Sequence, residues 1–263
     1  MHPEDTAGFR LVGQSDLNGF GDGMQVMPHG DTLYVGHFGP SGMGTSILDI
    51  SDRTAPQVIR QWDAPTGSHT HKVQVADGLL MTNHELFRSE GPAPVGMAIY
   101  NLDDPHDPQR IGFFDTGGRG VHRIVYEGGD SAYVSATPEG YTGRIWLIVD
   151  VSDPINPTEV GRWWWPGMWT LGGETMDTPE GEDWLVHHAM VNDDRAYLGF
   201  WDGGHRHLRP FSPHDDLPSR MGRRRAHPHL SPVARPRSGG RDRRGIDGGM
   251  RRGQAYGQSC GYL

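Results

Sequence analysis

Apolar and polar positions take turns in short runs along residues 22–202, and the runs recur. DGMQVMPHGDTLYVGHF (22–38), THKVQVADGLLMTNHE (70–85), VHRIVYEGGDSAYVSAT (121–137) and HHAMVNDDRAYLGFWD (187–202) share one design. Each is an alternating run, a turn of Asp, Gly or Asn, and a second alternating run, which predicts a β-hairpin. Three stretches of a second kind follow them: TSILDISDRTAPQVIRQWD (45–63), MAIYNLDDPHDPQRIGFFD (97–115) and RIWLIVDVSDPINPTEVGRW (144–163). Each of these is an apolar strand, an Asp/Asn/Ser/Pro turn and another strand. No long stretch repeats every 3.6 residues, so no sizeable helix is expected.

Hairpin plus strand–turn–strand makes four strands per unit. The spacing is 52 residues from Asp52 to Asp104 and 49 from Asp104 to Asp153. Four strands per ~50 residues is the period of a propeller blade. The expected fold is therefore all-β, a β-propeller of four-stranded blades. About three and a half blades are visible, with repeats at about 20–68, 69–118, 119–165 and 185–204. A blade cannot bury both its faces alone, so neighbours must stack.

Against that frame the motif LIVDVSDP (147–154), echoed by SILDISD (46–52) and AIYNLDDP (98–105), resembles the repeat of the LVIVD family of bacterial and archaeal proteins. The resemblance covers about residues 20–204. It implies a β-propeller, in a family often found at cell surfaces, and hardly any chemistry. The N-terminus, MHPEDTAGFRLVG, has no basic segment followed by an apolar one, so no secretion signal and a cytoplasmic location are expected. An incomplete ring would favour self-association or a partner chain.

Charge divides the chain. Residues 1–205 carry 11 Lys+Arg against 29 Asp+Glu, a formal charge of −18. Residues 206–263 carry 13 Arg and 4 Asp, a charge of +9. The acidic body argues against a nucleic-acid partner, and no apolar run is long enough to span a membrane. The segment 205–263, rich in Arg, Gly and Pro, reads either as a disordered basic tail or as a shifted reading frame. Read one base forward, residues 227–244 permit THTCLPLPGRDLAVVTDE, which matches THKVQVADGLLMTNHE in length and pattern. One cysteine, Cys260, leaves no intramolecular disulfide.

Candidate chemistry lies in a column of the repeat. Aligned as text, one position reads Met24, His71, His122 and His188. If this is the innermost strand, each blade aims an imidazole at the axis. Neutral imidazoles converging there suit a divalent transition metal such as Fe, Mn, Zn or Cu. The alternative is that recurring histidines are structural. Glu85 is the candidate base beside a metal-bound water. His37, His84, Trp201 and Asp202 stand at equivalent strand ends, His69 flanks the column histidine His71, and all five are further candidates. On an alternating strand His69 shares the face of His71, whereas His187 is expected to face away from His188. The tryptophan-rich stretch 162–184 is expected to be an irregular loop, and no nucleophile elbow or phosphate-binding loop is present. Two functions follow from the residues: a metal-dependent enzyme acting on a small organic molecule, or a non-catalytic propeller scaffold for ligand or protein binding.

Overall fold

The computed structural model describes residues 8–39, 42–87, 93–192 and 195–208. The expectations for residues 209–263, a disordered tail or a shifted frame, lie outside them.

Among the described residues the structure is all-β, with two single-turn 3₁₀ segments and no α-helix. Strands β1 (Gly23–His29), β2 (Thr32–His37), β3 (Met43–Asp49) and β4 (Gln57–Asp63) form an antiparallel meander, blade 1. Blade 2 starts with an interrupted strand, β5 (Ser68–His69) and β6 (Val73–Ala76), both paired to β7 (Leu79–Leu86). It continues through β8 (Gly96–Asn101) and β9 (Gln109–Asp115). Blade 3 comprises β10 (Gly120–Val125), β11 (Ser131–Thr137), β12 (Ile145–Asp150) and β13 (Thr158–Trp163). The pair Gly120↔Glu85 joins blades 2 and 3 into one nine-stranded sheet, and a separate three-stranded sheet holds β14 (Val186–Asn192), β15 (Arg195–Phe200) and β16 (Gly204–Leu208). Strand β16 pairs with β15 through Leu208, past the compositional break in the sequence.

The first strands of successive sheets pack in order, β1 on β6, β6 on β10 and β10 on β14, as a propeller requires. The third strands are buried along nearly their whole length, so SILD and IWLIVD read as continuous apolar runs. The last strands are half exposed. The turn after each third strand shows why the Asp-rich motif repeats. Asp49 Oδ1 accepts from Ser51 N at 2.8 Å and Asp52 Oδ1 from Thr54 N at 2.9 Å. Asp104 accepts from His106 N, and Asp150 and Asp153 from Ser152 N and Ile155 N. These side chains supply acceptors that the turning backbone would otherwise lack.

A bulge recurs in the first strands. In β1 the register steps over Met24, between Gly23 and Gln25. In β10 it steps over His122, and in β14 over His187. In blade 2 three residues, Thr70 to Lys72, face two, Asn83 and His84, between the pairs His69↔Glu85 and Val73↔Thr82. Counting back from the hairpin turns, where Ala76 pairs Leu79 and Asn192 pairs Arg195, His71 corresponds to His187. The structural column therefore reads Met24, His71, His122, His187. The text alignment, which put His188 there, is one residue out.

Candidate metal centre

Glu85 is the hub. Its backbone in β7 pairs with His69 of β5 on one side and with Gly120 of β10 on the other. Cross-strand partners and their diagonal neighbours share a face. His69, opposite, and His122, two residues beyond Gly120, thus both reach the Glu85 side chain. His69 Nε2 lies 2.8 Å and His122 Nδ1 2.7 Å from Glu85 Oε2. Position 120 must be glycine: its φ is +92°, and a Cβ would run into the His84 carbonyl.

His71 lies next to this pair, its ring centroid 4.3 Å from that of His69 and 5.2 Å from that of His122. His69, His71 and Glu85 are all buried, and one ligand atom from each lies within 4.8 Å of the others. Two ring nitrogens are left over. His69 Nδ1 and His71 Nε2 are buried without a hydrogen-bond partner among the described residues. Such orphans are rare in folded proteins and call for an explanation.

The tautomers follow from the partners. His69 donates through Nε2 to the carboxylate, so its Nδ1 carries a lone pair. Asn83 accepts from Lys72 N at 2.8 Å through Oδ1 and donates to the Val121 carbonyl at 2.9 Å, which turns its amide nitrogen toward His71 Nδ1 at 3.3 Å. That long contact makes Nδ1 the acceptor in His71 and leaves the proton on Nε2.

The electrostatics agree with neutral His71 and His122 rings beside one anion. Burial drives the His71 ring far below its ordinary value. Burial also pushes the His122 ring down, against the pull of Glu85. Burial alone would raise the Glu85 carboxyl, but hydrogen bonds from His122 and His69 outweigh it and hold the group well below the usual range.

The other sequence candidates fall around or away from this centre. His187 continues the row of rings, 5.4 Å from His122, and accepts from Arg123 Nη1 at 3.3 Å through Nδ1. Burial and Arg123 lower it to about 3. The expectation that it faces away fails because the bulge breaks the two-residue alternation. His188 reaches the row only through His187, with Nδ1 atoms 3.3 Å apart. Trp201 is half exposed beside His187, at 6.2 Å, and lies over the Arg144 guanidinium. His84 alternates away from Glu85 and packs on Phe113 at 5.4 Å, and burial lowers it to about 4. Asp202 accepts from Asp183 N in an exposed turn. His37 sits in blade 1, bonded to Asp22 and Ser46. Within the Trp-rich stretch, Glu174 gathers Trp164 Nε1, Gly167 N and Trp169 N and so shapes the loop. Arg144, Arg119 and Asn83 were missed in the sequence. They carry no motif, and their meaning depends on which strand ends meet.

Among the described residues no helix is long and apolar enough to cross a membrane. No curated protein matches the chain. One solved structure similar to it is the crystal structure of the computationally designed Ika4 protein, at 11% identity and a TM-score of 0.47, covering 71% of this chain and 90% of that one. The family model of the LVIVD repeat matches residues 140–163, which span β12, the Asp150–Asp153 turn and β13. The outer half of blade 3 is thus an LVIVD repeat, set in an all-β chain of propeller-type blades.

Proposed function

We propose that His69, His71 and Glu85 bind a divalent transition metal, with His122 holding the Glu85 carboxylate, and that the protein is a metal-dependent enzyme acting on a small organic molecule. The observation that carries this reading is the pair of orphaned ring nitrogens, His69 Nδ1 and His71 Nε2, beside an ionised Glu85. Imidazole and carboxylate together suit Fe, Mn, Zn or Cu. Three protein donors leave a coordination position for water or substrate, as catalytic sites require.

Loading His71 through Nε2 requires its proton to move to Nδ1, which breaks the 3.3 Å contact with Asn83. A neutral hydrogen bond contributes about 1 kcal/mol. Structural zinc sites gain roughly 10–16 kcal/mol. The tautomer change is therefore small beside the gain from a bound metal, and it takes up and releases no net proton.

The second reading, a non-catalytic propeller scaffold, has its own support. Glu85 already ties β5 to β10 through His69 and His122, so the cluster also serves as an inter-blade fastener. Metal analysis of the full chain purified without chelator separates the two. About one equivalent of metal, absent from His71→Ala, supports the enzyme reading. A folded, metal-free chain that also fails to take up added Zn²⁺ or Co²⁺ leaves the scaffold.

A further inference from the structure

Beside the metal centre lie two arginines that the metal reading does not use. Arg144 precedes β12, and Arg119 precedes β10, at the end of the blades where Glu85 stands. Arg144 is held in place: Nε donates to the Val186 carbonyl at 3.2 Å, and its guanidinium carbon lies 5.1 Å from the centre of a Trp201 ring. Nη2 is buried and has no partner among the described residues. Arg119 is held by the Leu86 and Phe87 carbonyls through Nη2, and its Nε is likewise buried without a partner. Neither makes a salt bridge among the described residues.

Each partly buried guanidinium thus keeps one buried N–H group unpaired, which is costly unless a ligand supplies the acceptor. Glu85 does not fill this role. It lies within electrostatic reach of Arg144, but its Oε2 already takes two histidine hydrogen bonds. Arg144 is also within electrostatic reach of His122 and His187, so it lies near the row of rings. The charge of Arg119 opposes that of Arg144, and Glu85 and Asp183 are the carboxylates within electrostatic reach of Arg144, neither of them in a salt bridge with it among the described residues.

We propose that Arg144, seconded by Arg119 and braced by Trp201, binds the carboxylate of a small organic acid beside the His69–His71–Glu85 centre. The planar fork of a guanidinium matches a carboxylate in two-point geometry, which an ammonium does not. The half-exposed rings of Phe38 and Phe87, packed on His69 at 5.2 Å and 4.5 Å, and of Trp201 offer flat apolar walls for the rest of the molecule. The proposal names the substrate class of the enzyme reading and rests on it for catalysis, but the anion site itself needs no metal.

The test is calorimetry of benzoate binding to the full chain, metal-free and Co²⁺-loaded, with the Co²⁺ visible spectrum recorded alongside. Wild type is expected to bind benzoate in both forms. Arg144→Gln is expected to weaken binding at least about tenfold and Arg144→Lys to restore part of it, because the charge returns without the fork. The Co²⁺ spectrum should be unchanged in both variants. Should Arg144→Gln not fold, Trp201→Ala and Arg119→Gln test the brace and the second cation, each expected to weaken binding. The proposal is overturned if benzoate fails to bind wild type in either form, if the variants bind as wild type does, or if inorganic phosphate binds more tightly than benzoate. Absence of a Co²⁺ spectrum with benzoate binding intact would instead remove the metal reading and leave the anion site standing.

Discussion

Two histidine networks in this protein look alike on paper and differ in one respect. In blade 1, His37 is fully buried, with Nδ1 2.6 Å from Asp22 Oδ1 and Nε2 2.7 Å from Ser46 Oγ. Gln61 donates to Ser46 at 2.9 Å, and Gly39 N donates to the other Asp22 oxygen at 2.7 Å. Every polar atom of the His37 ring has a partner inside the blade. Between blades 2 and 3, His69 and His71 are as deeply buried, yet each keeps one ring nitrogen with none. Burial raises the cost of an unpaired polar group in both places. The blade 1 network meets that cost internally. The other does not, and that difference, rather than the number of histidines, is what the metal proposal rests on.

The sharpest way to break the comparison is to remove one ring from each network. His71→Ala should weaken Zn²⁺ or Co²⁺ binding by at least about 100-fold, since it takes away one of three protein donors. His37→Ala should leave metal binding unchanged and lower stability by about 2–4 kcal/mol, because it strands Asp22 and Ser46. Metal titration and urea unfolding of both variants give the answer. Equal metal loss in the two would erase the distinction.

Acid should separate the networks next. His84, next to Glu85 in β7 but on the opposite face, is lowered to about 4. The folded ring then stays neutral while the unfolded chain takes up a proton below about pH 6.5. Its contribution is therefore complete above pH 6.5 and declines as pH falls toward 4, by about 3 kcal/mol in all. His187, lowered to about 3, acts in the same direction. In blade 1, burial acts to raise Asp22, but the hydrogen bond and charge of His37 hold it below its ordinary 3.8, so its contribution is lost only at more acid pH. Urea midpoints should fall between pH 6.5 and 4 in wild type, and His84→Leu should flatten that limb. An unchanged limb would mean His84 is protonated in the folded chain.

How much of this was readable from the sequence follows from the range of the forces. The blade turns were legible because Asp49, Asp104 and Asp150 act on backbone groups two residues away. The pairing of Glu85 with histidines was half legible, since SHTHKVQVADGLLMTNHE (68–85) carries His69, His71 and Glu85 together. The fourth blade misled. HHAMVN aligns with THKVQV as text, but His187 occupies the bulge, and a bulge is set by backbone pairing that no side-chain pattern records. Arg144 was invisible for another reason. It starts an ordinary apolar strand, and only the stacking of blades brings it to Trp201, 57 positions away in sequence.

A smaller effect tests whether the two networks are mechanically joined. Gly36, next to His37, passes so close to blade 2 that a Cβ would lie 2.7 Å from the His71 carbonyl carbon. Gly36→Ala must push the His71 backbone. A loss of about 1–3 kcal/mol by urea unfolding is expected, as for overpacking elsewhere, together with weaker metal binding. Weakened metal binding with the Asp22–His37–Ser46 bonds intact by NMR would confine the strain to the open network. Unchanged metal affinity would show that the His71 position tolerates the shift.

The least disruptive change bears on the closed network's appearance. Asp22, His37 and Ser46 stand in the order carboxylate, imidazole, hydroxyl, with bonds of 2.6 Å and 2.7 Å, as in a nucleophilic triad. Geometry alone would nominate Ser46 as a nucleophile. Access argues otherwise: Ser46 is completely buried, and its oxygen is already held by Gln61. A nucleophile must meet a substrate carbonyl with donors placed for the developing oxyanion, and here the hydroxyl meets only its own blade. Ser46→Ala should therefore cost about 1–2 kcal/mol, the penalty for leaving His37 Nε2 and one Gln61 hydrogen bond unmade. Hydrolysis of p-nitrophenyl acetate by the variant should equal that of wild type. A loss of esterase activity in Ser46→Ala, with the fold retained, would reverse the comparison and move the proposed catalytic site from the open network to the closed one.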